Sequence, residues 1–378
     1  MKIFKIVHTA DLHLGSYFSS TPEIAANRKL EQLDTLRRII AMCSEHSASA
    51  LLISGDLFDS LRCDRQLLAD VQGILGECPV RVFITPGNHD PATPDSAYLS
   101  EGWPENVHIF KGGIECVEVR EGDVSACIWG LGFRHSIEAE SLLADFKPRD
   151  NMINILMMHA ELVPGETAES RYNPVTFERL ASLGVDYCAL GHVHKPEVKS
   201  AGEFVVCSPG CPSGRGFDET GEHGVYAGYV GRGFSHMEFV PTGSRKYLIE
   251  KIDVSGRETT DSFAGAVKEY LAKVVGEDWQ ENIYDITLIG ALSKGVLPDS
   301  QAIARLLMDE LHYARVTDMT TTELDLDALM KDTSLRGAFV RTIVSRMEKD
   351  EGNRRKYERA LLYGLRAFDG EVRISEDY

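Results

Sequence analysis

A chain of 378 residues is longer than one average domain, so two domains are the starting expectation. An apolar share of 43% and a charged share of 26% are those of a soluble globular protein and exclude a fibrous or low-complexity chain. A formal charge of −18 argues against strong stand-alone binding to nucleic acid, which runs through Lys and Arg on phosphates.

The apolar run 3–7 reads as a first strand; it is too short for a signal-peptide core and passes directly into a polar motif. Residues 28–43 place Leu30, Leu33, Leu36, Ile39, Ile40 and Cys43 on one helical face. Residues 50–54 read as a strand, 64–75 as a helix with Leu67, Leu68, Val71, Ile74 and Leu75 along one side, and 80–85, 153–158 and 187–190 as further strands. This alternation implies an α/β fold in which helices cover a sheet, and ligands in such folds gather beyond the carboxyl ends of the strands. Residues 204–207, 225–230 and 235–240 read as strands that complete a second sheet. Breakers at Pro241 and Gly243 put a boundary at 242–245. A strand at 247–254, a helix at 262–275, a strand at 284–289 and a helix at 299–311 then form a small α/β module. Two helices close the chain, one with a stripe of Leu335, Phe339, Ile343, Val344 and Met347, the other with Tyr357, Leu361, Leu362, Leu365 and Phe368. The expected domains are 1–243, 244–332 and 333–378.

The eight cysteines are scattered and make no CxxC pair, which points to a reducing compartment and away from thiolate zinc. No stretch approaches the length of a membrane span, so a cytoplasmic location without membrane contact is expected.

Each of five strands runs into a polar motif. The first is followed by Asp11 and His13 in TADLHLG, the second by Asp56 in SGDLFD, and the third by Asn88 and His89 in PGNHD. The fourth ends at His159 and the fifth at His192 and His194 in GHVH. Taken singly, a DxH is most often a turn, GD and GN are loop punctuation, and a lone His after a strand is most often a satisfied core histidine. Together they supply oxygen and imidazole ligands for two metal ions at one end of a sheet. A carboxylate, amide and imidazole set without thiolate suits manganese, iron or zinc. Asp56 is the natural bridge between two ions, and His89 is placed to protonate a leaving oxygen or stabilise a charged transition state.

In this order, DLHLG, GDLFD, GNHD, a lone His and GHVH resemble the calcineurin-like metallophosphoesterase superfamily, and in detail its DNA-repair branch of SbcD nucleases and YhaO-type proteins. The stretch CSPGCPSGRGFDETGEHG at 207–224 also resembles the YhaO type. The resemblance implies a four-layer α-β-β-α sandwich with a smaller C-terminal α/β cap and a terminal helix pair. It implies one metal held by Asp11, His13, Asp56 and His194, a second by Asp56, Asn88, His159 and His192, and His89 as the catalytic histidine. Asp59 is grouped with His89 as the residue that orients it or a water, with a helix N-cap as the alternative. Two divalent ions, manganese before iron or zinc, are the implied cofactors. DNA ends are the implied substrate, an SMC-like ATPase docked on the helical segment the implied partner, and a homodimer a further expectation.

The protein-phosphatase pattern GDxVDRG carries an arginine that grips a phosphomonoester; here the stretch is GDLFDSLR, which favours diesters unless Arg62 or Arg134 fills that role. The leading expectation is a manganese-dependent DNA exonuclease. A phosphodiesterase on small nucleotides suits the acidic charge better, and a weakly active binding subunit of a repair complex is the third alternative.

Overall fold

The computed structural model describes residues 2–368 apart from 145, 166, 167, 244 and 324. Residue 244 of the expected boundary and residues 369–378 of the expected helical segment lie outside the described residues. The chain divides into two compact units: residues 1–250 with 271–286 and 304–316, and residues 251–270 with 287–303 and 317–378.

The first unit opens with β1 (Phe4–Thr9), α1 (Ala25–Glu45), β2 (Ala50–Ser54), α2 (Arg65–Gly76), β3 (Arg81–Thr85) and β4 (Val107–Ile109). It continues with β5 (Glu115–Glu121), β6 (Val124–Gly130), β7 (Ile153–His159), the two-residue strands β8 (Leu162–Val163) and β9 (Val175–Thr176), and α3 (Phe177–Ser182). β10 (Tyr187–Gly191), β11 (Glu197–Ala201), β12 (Phe204–Ser208), β13 (Gly224–Gly231) and β14 (Phe234–Pro241) follow. Two six-stranded sheets result, in the orders β14-β13-β1-β2-β3-β4 and β11-β12-β10-β7-β6-β5. In the first, β1 to β4 are parallel and β13 runs antiparallel to β1. In the second, β6, β7, β10 and β12 are parallel, with β5 and β11 as antiparallel edges.

The central strands read as unbroken apolar runs because both of their faces are covered. Every residue of β2, β7 and β10 is buried. Alternation then assigns faces: Leu51 and Ile53 pack under α1 and α2 with Leu36, Ile39 and Val71, whereas Ala50 and Leu52 meet Ile155, Met157 and Tyr187 of the second sheet. The outer face of the second sheet, including Leu156, Met158 and Leu190, is covered by α3 through Leu180 and by loop residues such as Leu143. The layers are therefore α-β-β-α, with a thin fourth layer.

Three sequence expectations are corrected. Only β12 of the three late strands joins the second sheet; β13 and β14 extend the first, because β1 offers an open edge on which Tyr226 and Val230 can still face the inter-sheet core. Leu30 is 63% exposed, and the buried stripe of α1 instead begins at Arg28 and Gln32. The cysteines are not all separate: Cys116 and Cys127 are joined by a disulfide across the β5–β6 hairpin.

The chain continues through β15 (Tyr247–Asp253), α4 (Thr260–Val274), β16 (Ile283–Ile289), β17 (Ala291–Leu292), α5 (Ser300–Met308), β18 (Tyr313–Asp318) and β19 (Thr321–Thr322). Within the first unit, Tyr247, Ile283 and Tyr313 form a small cluster with Ile24 and Phe217. Within the second, α6 (Leu326–Lys331), α7 (Leu335–Lys349) and α8 (Arg354–Phe368) pack on one another. The two helical stripes face each other through Val340, Ile343, Leu361 and Leu365, and Gly364 leaves room for the Phe339 ring. Among the described residues no helix is long and apolar enough to cross a membrane.

A buried side-chain pair bridges the apolar core between the sheets. His8 Nδ1 and the Tyr187 hydroxyl lie 2.9 Å apart, and both residues are fully buried. Burial pushes the His8 pKa down from 6.5 to about 3, so the folded ring stays neutral. Its contribution is fully present above pH 6.5, where both states are neutral, and is lost as pH falls toward 3 because only the unfolded chain takes up the proton. Tyr187→Phe leaves the imidazole without this partner and is expected to cost about 1–3 kcal/mol in urea denaturation at neutral pH. An unchanged midpoint shows that the hydrogen bond contributes nothing net.

Candidate metal centre

The loops after β1, β2, β3, β7 and β10 meet at the carboxyl ends of the parallel strands. Their backbone is unusual at the residues that matter. Asp11 (φ 53°), His13 (φ 46°), Asp56 (φ 49°) and His192 (φ 106°) all have positive φ, a conformation that costs a non-glycine residue about 1–3 kcal/mol unless its surroundings impose it. Here they do. The Asp11 amide donates to Gly55 O (3.0 Å) and the His13 amide to Asp56 O (2.9 Å), which zips the first loop to the second. The His192 amide donates to both Asp11 carboxylate oxygens at 3.1 Å, which ties the last loop to the first. Gly55 and Gly87 are demanded by close approach: a Cβ at Gly55 runs into the His159 ring, and one at Gly87 into the Asp56 carboxylate.

The side chains converge in two overlapping groups. Ligand atoms of Asp11, His13 and His194 lie within 4.8 Å of one another, as do those of Asp11, Asp56 and His159. His13 Nε2 is 3.2 Å from His194 Nε2 and 3.6 Å from Asp56 Oδ2. On the other side, Asn88 Oδ1 lies 3.0 Å from His159 Nε2 and 3.2 Å from His192 Nδ1, and Asp56 Oδ2 lies 3.4 Å from His159 Nε2. Asp56 faces both groups and is 1% exposed.

The donor set fits divalent cations. His159 Nδ1 is 3.0 Å from Ser54 O, and a carbonyl only accepts, so Nδ1 carries the hydrogen and Nε2 is turned toward Asn88 and Asp56. His13 Nδ1 is likewise 3.1 Å from Asp59 Oδ1, which turns its Nε2 toward that of His194. Lone pairs of nitrogen and oxygen thus point at shared positions, an arrangement that a cation satisfies. Charge tells the same story. Burial opposes ionisation of Asp56, yet His159, His13 and His89 outweigh it and hold its carboxyl well below the usual range. Burial also opposes a charge on His159, but Asp56 and then Asp11 raise it to about 9. Burial lifts Asp11 to about 6 and lowers His13 and His192 each to about 4.

His89 stands at the exposed edge of the cluster. Its amide donates to Asp56 Oδ1 (2.9 Å), its Nδ1 lies 3.1 Å from the Asp59 carbonyl, and its ring meets that of His13 edge-on at 4.7 Å. Asp59 therefore reaches His89 through its backbone and His13 through its carboxylate. Asp59 is no helix cap, since Asp64 caps α2 by accepting from the Gln66 and Leu67 amides.

Four residues outside the predicted set support it. Asp90 is buried and accepts from the Gly87 amide (2.8 Å), the Phe58 amide (2.9 Å) and the Tyr98 hydroxyl (2.5 Å), which fixes the GNHD loop. Asn173 donates to His159 O (2.8 Å). Arg215 and Glu219 lie behind His194 and Asp59: Glu219 Oε1 is 2.8 Å from His194 Nδ1, and Arg215 Nη1 donates to Asp59 Oδ1 at 3.3 Å. Asp90 is the last residue of a motif already visible in the sequence. Arg215 and Glu219 fall in the 207–224 stretch, where opposite charges at (i, i+4) do not by themselves signal function. Arg62 and Arg134, the sequence candidates for gripping a monoester, are both exposed.

The sequence model of the calcineurin-like phosphoesterases matches residues 4–196, a span that holds every residue of the two groups. The chain belongs to this family. It is 32% identical over 279 residues to the metallophosphoesterase YhaO of Bacillus subtilis (strain 168), an alignment covering 71% of this chain and 67% of YhaO. It is 27% identical over 333 residues to the DNA double-strand break repair protein Mre11 of Methanopyrus kandleri, covering 79% of this chain and 65% of Mre11. The chain thus spans about two thirds of the length of these relatives. Among solved structures, the calcineurin-like phosphoesterase YfkN from Bacillus subtilis aligns over 64% of this chain and 91% of its own, at 12% identity and a TM-score of 0.41. As a metallophosphoesterase the protein is a hydrolase of a family that binds divalent metals, and the clustered His and carboxylate groups are its candidate ligands.

Asp56→Asn keeps the size of the side chain but removes the charge that faces both groups. Manganese-loaded and desalted wild-type protein is expected to retain metal by elemental analysis, while the variant loses most of it and keeps a near-native melting temperature. Equal metal contents place the ions elsewhere.

Proposed function

We propose that the protein is a two-metal phosphodiesterase that removes nucleotides from DNA ends, with manganese as the working ion and iron or zinc as substitutes. The observation that carries this reading is the convergence of seven side chains at one end of the sheets, with Asp56 Oδ2 within 3.6 Å of His13 Nε2 and 3.4 Å of His159 Nε2 and with His89 exposed at the edge. Asp11, His13, Asp56 and His194 would hold one ion, and Asp56, Asn88, His159 and His192 the other. When bound, two such ions supply a water of lowered pKa and neutralise charge on the phosphate.

The chain's own groups do the rest. Asp56, held by the His89 amide and by Gly87 packed against it, would fix the separation of the two sets. With Nδ1 of His89 committed to the Asp59 carbonyl, Nε2 is the atom left for substrate. Protonated there, His89 donates to the leaving oxygen of a diester or stabilises the charge that develops on it. Diesters are favoured over monoesters because the Arg215 guanidinium beside the site is already tied to Asp59 and Glu219 and is not free to grip a terminal phosphate. DNA as substrate is supported by the similarity to Mre11, a DNA double-strand break repair protein. An SMC-like ATPase partner and self-association belong to the same reading, since a partner can supply the affinity for DNA that an acidic chain lacks.

The charge of −18 favours one rival, a phosphodiesterase on small nucleotides that enter a pocket without meeting the acidic surface. Manganese-dependent hydrolysis of end-labelled linear DNA, run beside bis-p-nitrophenyl phosphate, separates the two. Shortening of DNA from its ends is expected, and His89→Ala is expected to lose about 10²–10⁴-fold in rate. Cleavage of the small diester alone keeps the metal chemistry and removes DNA as a substrate of the isolated chain.

A further inference from the structure

The segment 207–224 carries groups that no part of the proposed reaction uses, and they form a chain behind two of the imidazoles. Glu219 is 6% exposed, and its Oε1 lies 2.8 Å from His194 Nδ1. Asp59 Oδ1 lies 3.1 Å from His13 Nδ1. Arg215 spans the two carboxylates, with Nη1 donating to Asp59 Oδ1 (3.3 Å) and Nη2 to Glu219 Oε1 (2.5 Å). The remaining faces of the two rings point at each other, Nε2 to Nε2 at 3.2 Å.

A carboxylate only accepts, so an Nδ1 that bonds to one carries the hydrogen, and in the neutral ring Nε2 is then the bare nitrogen. Arg215 Nη2 is also 2.9 Å from His194 Nδ1; with Glu219 Oε1, at 2.8 Å, as the acceptor at that nitrogen, the guanidinium bonds to Glu219 instead. The order His13–Asp59–Arg215–Glu219–His194 is thus a continuous string of hydrogen bonds in which one guanidinium sets the distance between two carboxylates, and each carboxylate sets the tautomer and rotation of one ring. The string has its own foundation. Buried Arg28 of α1 donates from Nη2 to Ser213 Oγ (3.1 Å) and Gly214 O (2.9 Å), fixing the backbone just before Arg215. His223 Nε2 lies 3.0 Å from Glu219 O and closes the other end of the loop.

We propose that Glu219 and Arg215 are positioning residues that hold His13 and His194 as one preset pair with both Nε2 atoms aimed at a single ion. The proposal rests on reading these two histidines as ligands of the same ion, and the test keeps the two claims apart. Chelator-stripped protein is titrated with Mn²⁺, and free ion is followed by electron paramagnetic resonance. The wild type is expected to bind two ions. Glu219→Ala is expected to weaken one of them about 10–100-fold and leave the other unchanged. Glu219→Gln is expected to restore much of the loss, because its amide oxygen still accepts from Nδ1–H. Arg215→Ala is expected to weaken the same ion, and the double variant is expected to bind no worse than Glu219→Ala alone, as a single string requires.

Unchanged binding of both ions in Glu219→Ala overturns the proposal, as does an equal loss of both, which marks general loosening of the fold. Additive losses in the double variant overturn the bridging role of Arg215. A wild type that binds no Mn²⁺ overturns the proposed function and this inference with it. A measurement on unmutated apoprotein covers variants that fail to fold: long-range ¹H–¹⁵N correlation on histidine-labelled protein at mildly alkaline pH, with His194 assigned from His194→Asn, is expected to show the Nδ1–H tautomer. The Nε2–H tautomer overturns the proposal.

Discussion

The Asp56 carboxylate is the constraint around which the rest of the first unit is arranged. A carboxylate this deeply buried is costly unless charges and donors surround it. One donor and two imidazoles meet it: the His89 amide donates from the loop after β3, and the His13 ring of the loop after β1 and the His159 ring of β7, in the other sheet, lie 3.6 and 3.4 Å away. Satisfying one charge therefore ties the two sheets together at their carboxyl ends. The same requirement accounts for Gly55 and Gly87, whose missing side chains let His159 and Asp56 approach. It also accounts for the positive φ values at Asp11, His13 and Asp56, where backbone strain is offset by the N–H···O=C hydrogen bonds that join the two loops.

Support for the cluster extends outward in layers of hydrogen bonding. Backbone carbonyls hold His159 and His89, carboxylates hold His13 and His194, and Asp90 holds the loop that carries Asn88. Several of these partners are themselves buried, so each is held by a further contact, down to Arg28 within α1. Side chains that are fixed in this way lose little freedom when they take up a ligand, which is how a site of many weak donors becomes a preorganised one.

The acidity of the chain sets the terms on which a polyanionic substrate can reach this site. Long-range repulsion acts on a duplex more than on a mononucleotide, because it grows with the number of phosphates brought near the surface. Ions held by the two groups would offset it locally, and a basic partner would offset it along the substrate. The similarity to YhaO and to Mre11 bears on the chemistry of the centre, while the path of a substrate toward it is a property of this chain's own surface.

Much of this was legible in the sequence. Buried parallel strands must be apolar along their whole length, so β2, β7 and β10 announced themselves, and the candidate ligands at strand ends, Asp11, His13, Asp56, Asn88, His159, His192 and His194, could be picked out by position alone. The helices α1, α2, α7 and α8 followed from apolar spacing, because a helical stripe is local information. Other features depended on residues far apart in the chain. Whether β13 and β14 would join the first or the second sheet depended on which edge was open, and both sheets offered edges. Leu30 matched the helical stripe of α1, but the inward position went to Arg28, whose partners lie at Ser213 and Gly214. Asp59 was expected to orient His89 or a water, or to cap a helix; in the tertiary arrangement its carbonyl meets His89 and its carboxylate turns to His13. Arg215 and Glu219 carry no local signature of function, since a pair of opposite charges at (i, i+4) is ordinary on any surface. The sequence by itself determined the class of fold and the types of ligand, because periodicity and residue chemistry are short-range properties. Which imidazole each carboxylate would hold was decided only when the loops were brought together, because hydrogen-bond partners are chosen by distance in space.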